Sequence, residues 1–327
     1  MKCAGVDART TAGLPPQETK TVSWGPWSTT PRNKDRFLGT LVYHPKKQRP
    51  FLGDPGLETG ATISREDALK GLEFFDLSGR VAVVIGGTTG LGREIALGYA
   101  AAGADVVASS RRQEQVNAIA AEIEALGRRT LRITSDVLNR GSIQRLHDAT
   151  IESFGKVDIL VNGAGTTKKM PTLEADEADW SKIIETNLTG TMRTCQIFGR
   201  SMVAARYGRI INIASMTAFR GFYQVAPYAA SKSAVVSMTM TLAIELAETG
   251  VNVNALAPGL FPTDMSLPLV EGTARGDEIL MRTPMHRFGK GREIVGPAIF
   301  LASEAASFVT GQVVIVDGGY LASGVNC

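Results

Sequence analysis

The chain has 327 residues, 44% of them hydrophobic and 20% charged, with a formal net charge of +3. This is ordinary globular composition, with too little positive charge and no basic arm for nucleic-acid binding, and no stretch reaches the roughly 18 consecutive apolar residues of a membrane span. The three cysteines, Cys3, Cys195 and Cys327, are odd in number and lack metal-ligand spacing, which suits a reducing compartment better than a secreted disulfide scaffold. With no apolar leader and no uninterrupted basic presequence, the expectation is a soluble cytoplasmic protein without metal, nucleic-acid or membrane partners.

Residues 1–72 differ from the rest. They hold seven of the 14 prolines and turn signals such as Gly25-Pro26 and Gly53-Asp54-Pro55-Gly56, with little apolar periodicity. The expectation is an irregular or partly disordered N-terminal extension. Trp24 and Trp27 are candidates to anchor it to the body or to a neighbouring subunit.

From residue 73 the pattern alternates. Apolar runs predict strands at 81–85 and 105–109, and near 130–135, 157–162, 208–214, 251–257 and 312–316. Between them, helices are predicted at 90–102 and 112–126, closed by Gly103 and Gly127. Further helices are predicted near 140–154, 176–206, 226–249 and 293–303. Alternating strands and helices imply an α/β fold, a parallel sheet covered on both faces, in one domain over 73–327.

The first strand runs into Gly86-Gly87-Thr88-Thr89-Gly90-Leu91-Gly92 and then a helix. Glycines allow a tight turn and a close main-chain approach to a pyrophosphate, and the helix start adds free N–H groups and a positive dipole end. The spacing from Gly86 through Gly90 to Gly92 differs from the Gly-x-Gly-x-x-Gly fingerprint of many dinucleotide sites. The second strand ends at Ser109-Ser110-Arg111-Arg112, where no acid stands to hold ribose hydroxyls. Ser110 can donate a hydrogen bond, and Arg111 or Arg112 can pair with a 2′-phosphate, which favours NADP over NAD. The alternative is that both arginines solvate the next helix; a neutral pocket also accepts NAD.

Tyr228 and Lys232 stand at i and i+4, on one face if the segment is helical. Ser215 follows the apolar run 210–214, so it lies at the C-terminal end of a predicted strand, the edge where open parallel sheets bind ligands. Each signal is common when taken alone.

Together these motifs resemble the short-chain dehydrogenase/reductase family in its one-domain branch. The matching features are the glycine turn, Asp136-Val137, Asn162-Gly163-Ala164-Gly165, Asn187, Ser215, Tyr228-x-x-x-Lys232, and Pro258-Gly259 followed by Thr263, in family order over 76–327. Ser215 precedes Tyr228 by 13 residues, the family's spacing. The resemblance implies a doubly wound Rossmann-type sheet and NAD(P)-dependent interconversion of a secondary alcohol and a ketone. It makes Tyr228 the general acid or base and Ser215 the group that holds the substrate oxygen. Lys232 lowers the phenol's pKa and binds the nicotinamide ribose, and Asn187, in the long helix, holds a water linking Lys232 to solvent. Asp136 binds the adenine, Thr263 the nicotinamide end, and residues 162–165 line the cofactor cleft. The resemblance also implies a homotetramer.

Two positions depart from the commonest pattern. Ile85 replaces a usual threonine and Gly163 a usual second asparagine, and each change removes a side-chain hydrogen bond that braces the cofactor loops.

Segments 166–171, 216–227 and roughly 260–285 are expected to shape the substrate pocket. The run Thr166-Thr167-Lys168-Lys169-Met170-Pro171 and the C-terminal Gly319–Asn326 resemble members acting on sugar acids, which points to a gluconate/5-keto-gluconate substrate. Lys168 or Lys169 can pair with a substrate carboxylate, and equally both can be solvated loop lysines. The alternatives are a 3-oxoacyl-carrier-protein reductase and, in another class, a non-catalytic cofactor-binding sensor.

Overall fold

Short runs of valine, isoleucine, leucine and alanine build the centre of the molecule, because only a strand buried on both faces is apolar at successive positions. In the computed structural model, which describes residues 70–263 and 266–324, these runs form β1 (Val81–Ile85), β2 (Asp105–Ser109), β3 (Ile159–Asn162), β4 (Gly208–Ile213), β5 (Val251–Pro258) and β6 (Val313–Val316). All pairs are parallel, in the order β2-β1-β3-β4-β5-β6. The extension expected over 1–72 lies outside the described residues, apart from the start of a 3-10 helix at Lys70–Phe75.

The helices are α1 (Gly90–Ala101), α2 (Gln113–Ala125), α3 (Arg140–Phe154), α4 (Glu177–Ile184), α5 (Gly190–Ala205), α6 (Ala226–Leu246), α7 (Leu267–Val270), α8 (Ala274–Arg282) and α9 (Val295–Ala302). Successive strand residues point to opposite faces, so the sheet serves two cores. Ala82, Val84, Val106, Val161 and Ile211 pack with α1 and α9 residues such as Ile95, Tyr99 and Leu301. Val83, Val107, Leu160, Ile210 and Val253 pack with Leu146, Phe198 and Met202 from α3 and α5.

Two sequence expectations need correction. The strand expected near 130–135 does not form: among the described residues the sheet has six strands, and residues 128–136 run irregularly beside the edge strand β2. Only Val106 N–H to Arg129 O (3.1 Å) and Ser135 N–H to Ser110 O (2.9 Å) link their main chains, and side chains take up the rest: Asp105 accepts from Arg129 N–H, and Ser109 Oγ donates to Ile133 O. The single helix expected over 176–206 is split by a π turn at Glu185–Thr189. The segment expected to shape the pocket, roughly 260–285, contains α7 and α8. A readable start signal stands there, Thr273, whose hydroxyl accepts from Gly276 N–H at 3.1 Å.

A parallel sheet brings all its strand C-termini to one edge. There the segments after β1, β2, β3, β4 and β5 meet around one cleft, with the crossover between β1 and β3 at its middle.

Candidate active site

The cleft has a volume of about 580 Å³, within the range of small-molecule sites. At its cofactor end the glycine turn is held by main-chain geometry. Gly86 has φ +74°, and a Cβ there would lie 2.7 Å from Ala164 N. A Cβ at Gly92 would meet Gly86 O at 2.2 Å, so α1 can start this close to β1 only without a side chain. Gly86 N–H donates to Ser109 O at 2.8 Å and Gly163 N–H to Ile85 O at 2.9 Å. These main-chain bonds brace the loops where Ile85 and Gly163 offer no side-chain bond. Thr88 Oγ1 donates to Ser110 Oγ at 2.8 Å and ties the two loops together.

Thr88, Thr89, Gly90, Leu91, Ser110, Arg111, Arg112, Asp136, Val137, Gly163, Ala164, Gly165, Pro258, Gly259 and Thr263 all line the cleft. Arg111 and Arg112 are exposed, and neither is paired with an acid among the described residues. Asp136 turns one carboxylate oxygen to Leu138 N–H at 3.0 Å. Asn162 departs from expectation. It is 3% exposed, donates to Asn212 Oδ1 at 2.8 Å and accepts from Thr194 Oγ1 at 2.5 Å, so it joins β3, β4 and α5 beneath the cleft rather than lining it.

At the centre, α6 carries Pro227 in its first turn, where the missing N–H costs nothing. Tyr228 and Lys232 occupy one face of its first two turns and both line the cleft. Lys232 is 4% exposed and its Nζ donates to Ile213 O at 2.6 Å, at the end of β4. Its Nζ lies 5.8 Å from the Tyr228 ring centre. Ser215 follows two residues after Ile213, with its Oγ accepting from Thr217 N–H at 3.1 Å. The end of β4 therefore positions Ser215 and holds Lys232, while the first turn of α6 carries Tyr228.

Burial raises the Tyr228 phenol above its usual value, while the hydrogen bond from Ser215 opposes that rise. Burial lowers Lys232 from 10.5 to about 8. A nearby ammonium favours a phenolate in general, which acts against the rise that burial causes.

Asn187 sits in the π turn and is fully buried. π turns inside helices often mark functional sites. Here the turn lets the side chain brace Thr166: Oδ1 accepts from Thr166 N–H at 2.8 Å and Nδ2 donates to Thr166 O at 3.0 Å and to Ser231 Oγ at 3.0 Å. A Cβ on Gly165 would come within 3.5 Å of Asn187 Oδ1 and 3.7 Å of Lys232 Nζ, so these three residues border one small space.

The substrate end decides between the two readings left open for Lys168 and Lys169. Lys168 is ion-paired with Asp179, and neither Lys168 nor Lys169 lines the cleft. The cations that do are Lys182 on α4 and Arg275 on α8, joined by Thr166, Thr167, Met216, Thr217, Phe222 and Ile279. Sequence reading missed these residues because they lie outside the family motifs; the cap at Thr273 was the one local sign of the helix that carries Arg275. Among the described residues no group of acids, histidines and cysteines is arranged to hold a metal, and no helix is long and apolar enough to cross a membrane.

The family model described as short chain dehydrogenase matches residues 80–273. The 2-dehydro-3-deoxy-D-gluconate 5-dehydrogenase of Pseudoalteromonas atlantica is 41% identical over 251 residues, 76% of this chain and 99% of that protein. The gluconate 5-dehydrogenase of Gluconobacter oxydans is 36% identical over 251 residues, 77% of this chain and 98% of that protein. A crystal structure of a gluconate 5-dehydrogenase from Burkholderia cenocepacia in complex with NADP and tartrate is 36% identical and matches with a TM-score of 0.75, covering 78% of this chain and all (100%) of that one. With the glycine turn, Ser215, Tyr228 and Lys232 gathered at one sheet edge, this chain belongs to the short-chain dehydrogenase family and is an oxidoreductase acting on CH–OH groups.

Proposed function

We propose that the protein is an NADP(H)-dependent enzyme interconverting a secondary alcohol and a ketone on a sugar acid, such as gluconate and 5-keto-gluconate. The observation that carries this reading is the cleft itself. It joins Ser215, Tyr228 and Lys232 to a substrate end with two cations, Lys182 and Arg275, and among its described lining residues the one carboxylate is Asp136, at the cofactor end. Such a field suits an anionic substrate. Thr167 and Thr217 add buried hydroxyls without hydrogen-bond partners, which suits a hydroxylated one. The Burkholderia relative binds NADP and tartrate, itself a hydroxy acid.

The residues present fit the dinucleotide. The glycine turn and the start of α1 would hold its pyrophosphate, and Arg111 and Arg112 a 2′-phosphate. Asp136 would face the adenine, Lys232 the nicotinamide ribose, and Pro258, Gly259 and Thr263 the nicotinamide end. When bound, the nicotinamide supplies or accepts the hydride.

The protein's own part is proton transfer and orientation. Ser215 donates a hydrogen bond to the carbonyl oxygen and holds it beside Tyr228. The Tyr228 phenol gives its proton to that oxygen in reduction and takes it back in oxidation. Lys232, charged at neutral pH and tied to Ile213 O, stabilises the phenolate left behind. Asn187 holds the loop at Thr166 that walls the site and would support a water path to Lys232. A sensor without turnover has no need of Ser215, Tyr228 and Lys232 in this arrangement. The same reading carries a cytoplasmic homotetramer, for which α6 offers exposed apolar residues at Met240 (46%) and Ile244 (80%).

The test is to mix the protein with NADPH and follow nicotinamide absorbance. Oxidation of NADPH with 5-keto-gluconate supports the reading. Turnover of acetoacetyl thioesters in its place defeats it and favours a 3-oxoacyl-carrier-protein reductase.

A further inference from the structure

We infer that Arg275, on α8, binds the substrate's carboxylate and selects acids over neutral ketones; this rests on the sugar-acid reading above. A 5-keto acid carries its carboxylate four carbon–carbon bonds from the reacting carbon. The group that recognises it must therefore stand on the far wall of the cleft, away from Ser215 and Tyr228. Arg275 meets that requirement. It lines the cleft from α8 and is half-buried, and among the described residues no acid pairs with it. The acid on the adjoining turn, Glu278, is taken by Arg282 at 2.8 Å.

Among the described residues the guanidinium is held at one side. Nη1 donates to Tyr223 O at 3.3 Å, which leaves the other edge of the planar fork free for a bidentate carboxylate. Tyr223 stands five residues before Tyr228, so this bond ties Arg275 to the segment that leads into the catalytic helix. The base of α8 is fixed as well. Thr273 caps Gly276 N–H, and a Cβ on Gly276 would meet Val270 O at 1.8 Å, so α7 and α8 are in close contact there. Ile279 on the next turn is buried and Thr283 Oγ1 donates back to its carbonyl at 2.7 Å. The cation is thus carried on an anchored helix, beside apolar walls that weaken screening by water.

The other cations are less suited. Lys168 is neutralised by Asp179, and Lys182 is exposed at the rim.

The experiment compares the wild type with Arg275→Gln, Arg275→Lys and Lys168→Gln, each with NADPH. The two substrates are 5-keto-gluconate and the neutral ketone in which CH2OH replaces the carboxylate. Arg275→Gln is expected to raise KM for the acid about 10- to 100-fold, the range for losing a charge-assisted hydrogen bond, with kcat little changed. Its turnover of the neutral ketone and its NADPH affinity stay at wild-type values. Arg275→Lys restores part of the acid affinity, because it keeps the charge but not the fork, and Lys168→Gln leaves KM for the acid alone. An Arg275→Gln enzyme that keeps its KM for the acid, or that loses acid and neutral ketone equally, overturns the assignment of Arg275 while the sugar-acid reading stands. A wild type that prefers the neutral ketone overturns both.

Discussion

At the cofactor end of the cleft the protein works with its main chain: glycines at 86, 90 and 92, strand-end carbonyls and the start of α1 make the surface. At the substrate end it works with side chains from segments far apart in sequence, namely Thr166 and Thr167 after β3, Thr217 after β4, Phe222 before α6 and Arg275 on α8. The two constructions respond differently to change. A close main-chain approach excludes every residue but glycine by steric contact, whereas a side-chain wall can be altered residue by residue without disturbing the sheet beneath it. Ser215, Tyr228 and Lys232 lie between the two ends.

Substitutions can test this division. The largest effect is expected at the centre: Tyr228→Phe should lower kcat for ketone reduction about 10²- to 10⁴-fold, the usual worth of a positioned acid or base. NADPH binding, followed by fluorescence, should stay near wild type. A variant retaining more than a small fraction of activity would move the proton transfer to another group. Next comes Gly86→Ala. Its left-handed φ of +74° and the 2.7 Å approach to Ala164 N leave no room for a methyl group. Strain of this kind predicts about 10- to 100-fold weaker NADPH binding together with a lower melting temperature. Unchanged binding would show that this end tolerates side chains after all.

Arg111→Ala should be milder, reducing the preference for NADPH over NADH about 10-fold in kcat/KM, because one charge-assisted contact is removed and the fold is untouched. Equal use of both cofactors by the wild type would remove the basis for this prediction. The smallest effect is on stability. Lys232 titrates near 8 in the folded protein against 10.5 for a free lysine. Below pH 8 its buried charge therefore opposes folding; as pH rises towards 10.5 the unfolded chain holds the extra proton and that cost disappears. Lys232→Met should melt a few degrees higher than wild type at pH 7, on the order of the shift that ~1 kcal/mol produces. The gain should vanish by about pH 10, where the lost bond to Ile213 O is all that differs. A constant difference across pH would assign the effect to packing instead.

The same division decides how much was legible in advance. Ser215, Tyr228 and Lys232 were readable because their spacing follows from one strand end and one helix face. The glycine turn was readable because main-chain chemistry leaves a compositional mark. Asn162 was misplaced because a strand-end side chain can turn up into the cleft or down into the core, and only its bonds to Asn212 and Thr194 decide which. The π turn at Asn187 was invisible, since it depends on the amide reaching Thr166 and Ser231 from other elements. Lys168 had two readings in sequence, a substrate partner or a solvated loop lysine, and only helix α4, which brings Asp179 to it, decides between them.

By itself, then, the amino-acid sequence determined the alternation of strands and helices, the glycine turn and the spacing of Ser215, Tyr228 and Lys232, because these depend on periodicity and on contacts within a few residues along the chain. The tertiary structure alone decided that residues 128–136 stay out of the sheet, that Asn162 serves the core, and that Arg275 rather than Lys168 faces the cleft. Those outcomes depend on competition between partners distant in sequence, which no local pattern records.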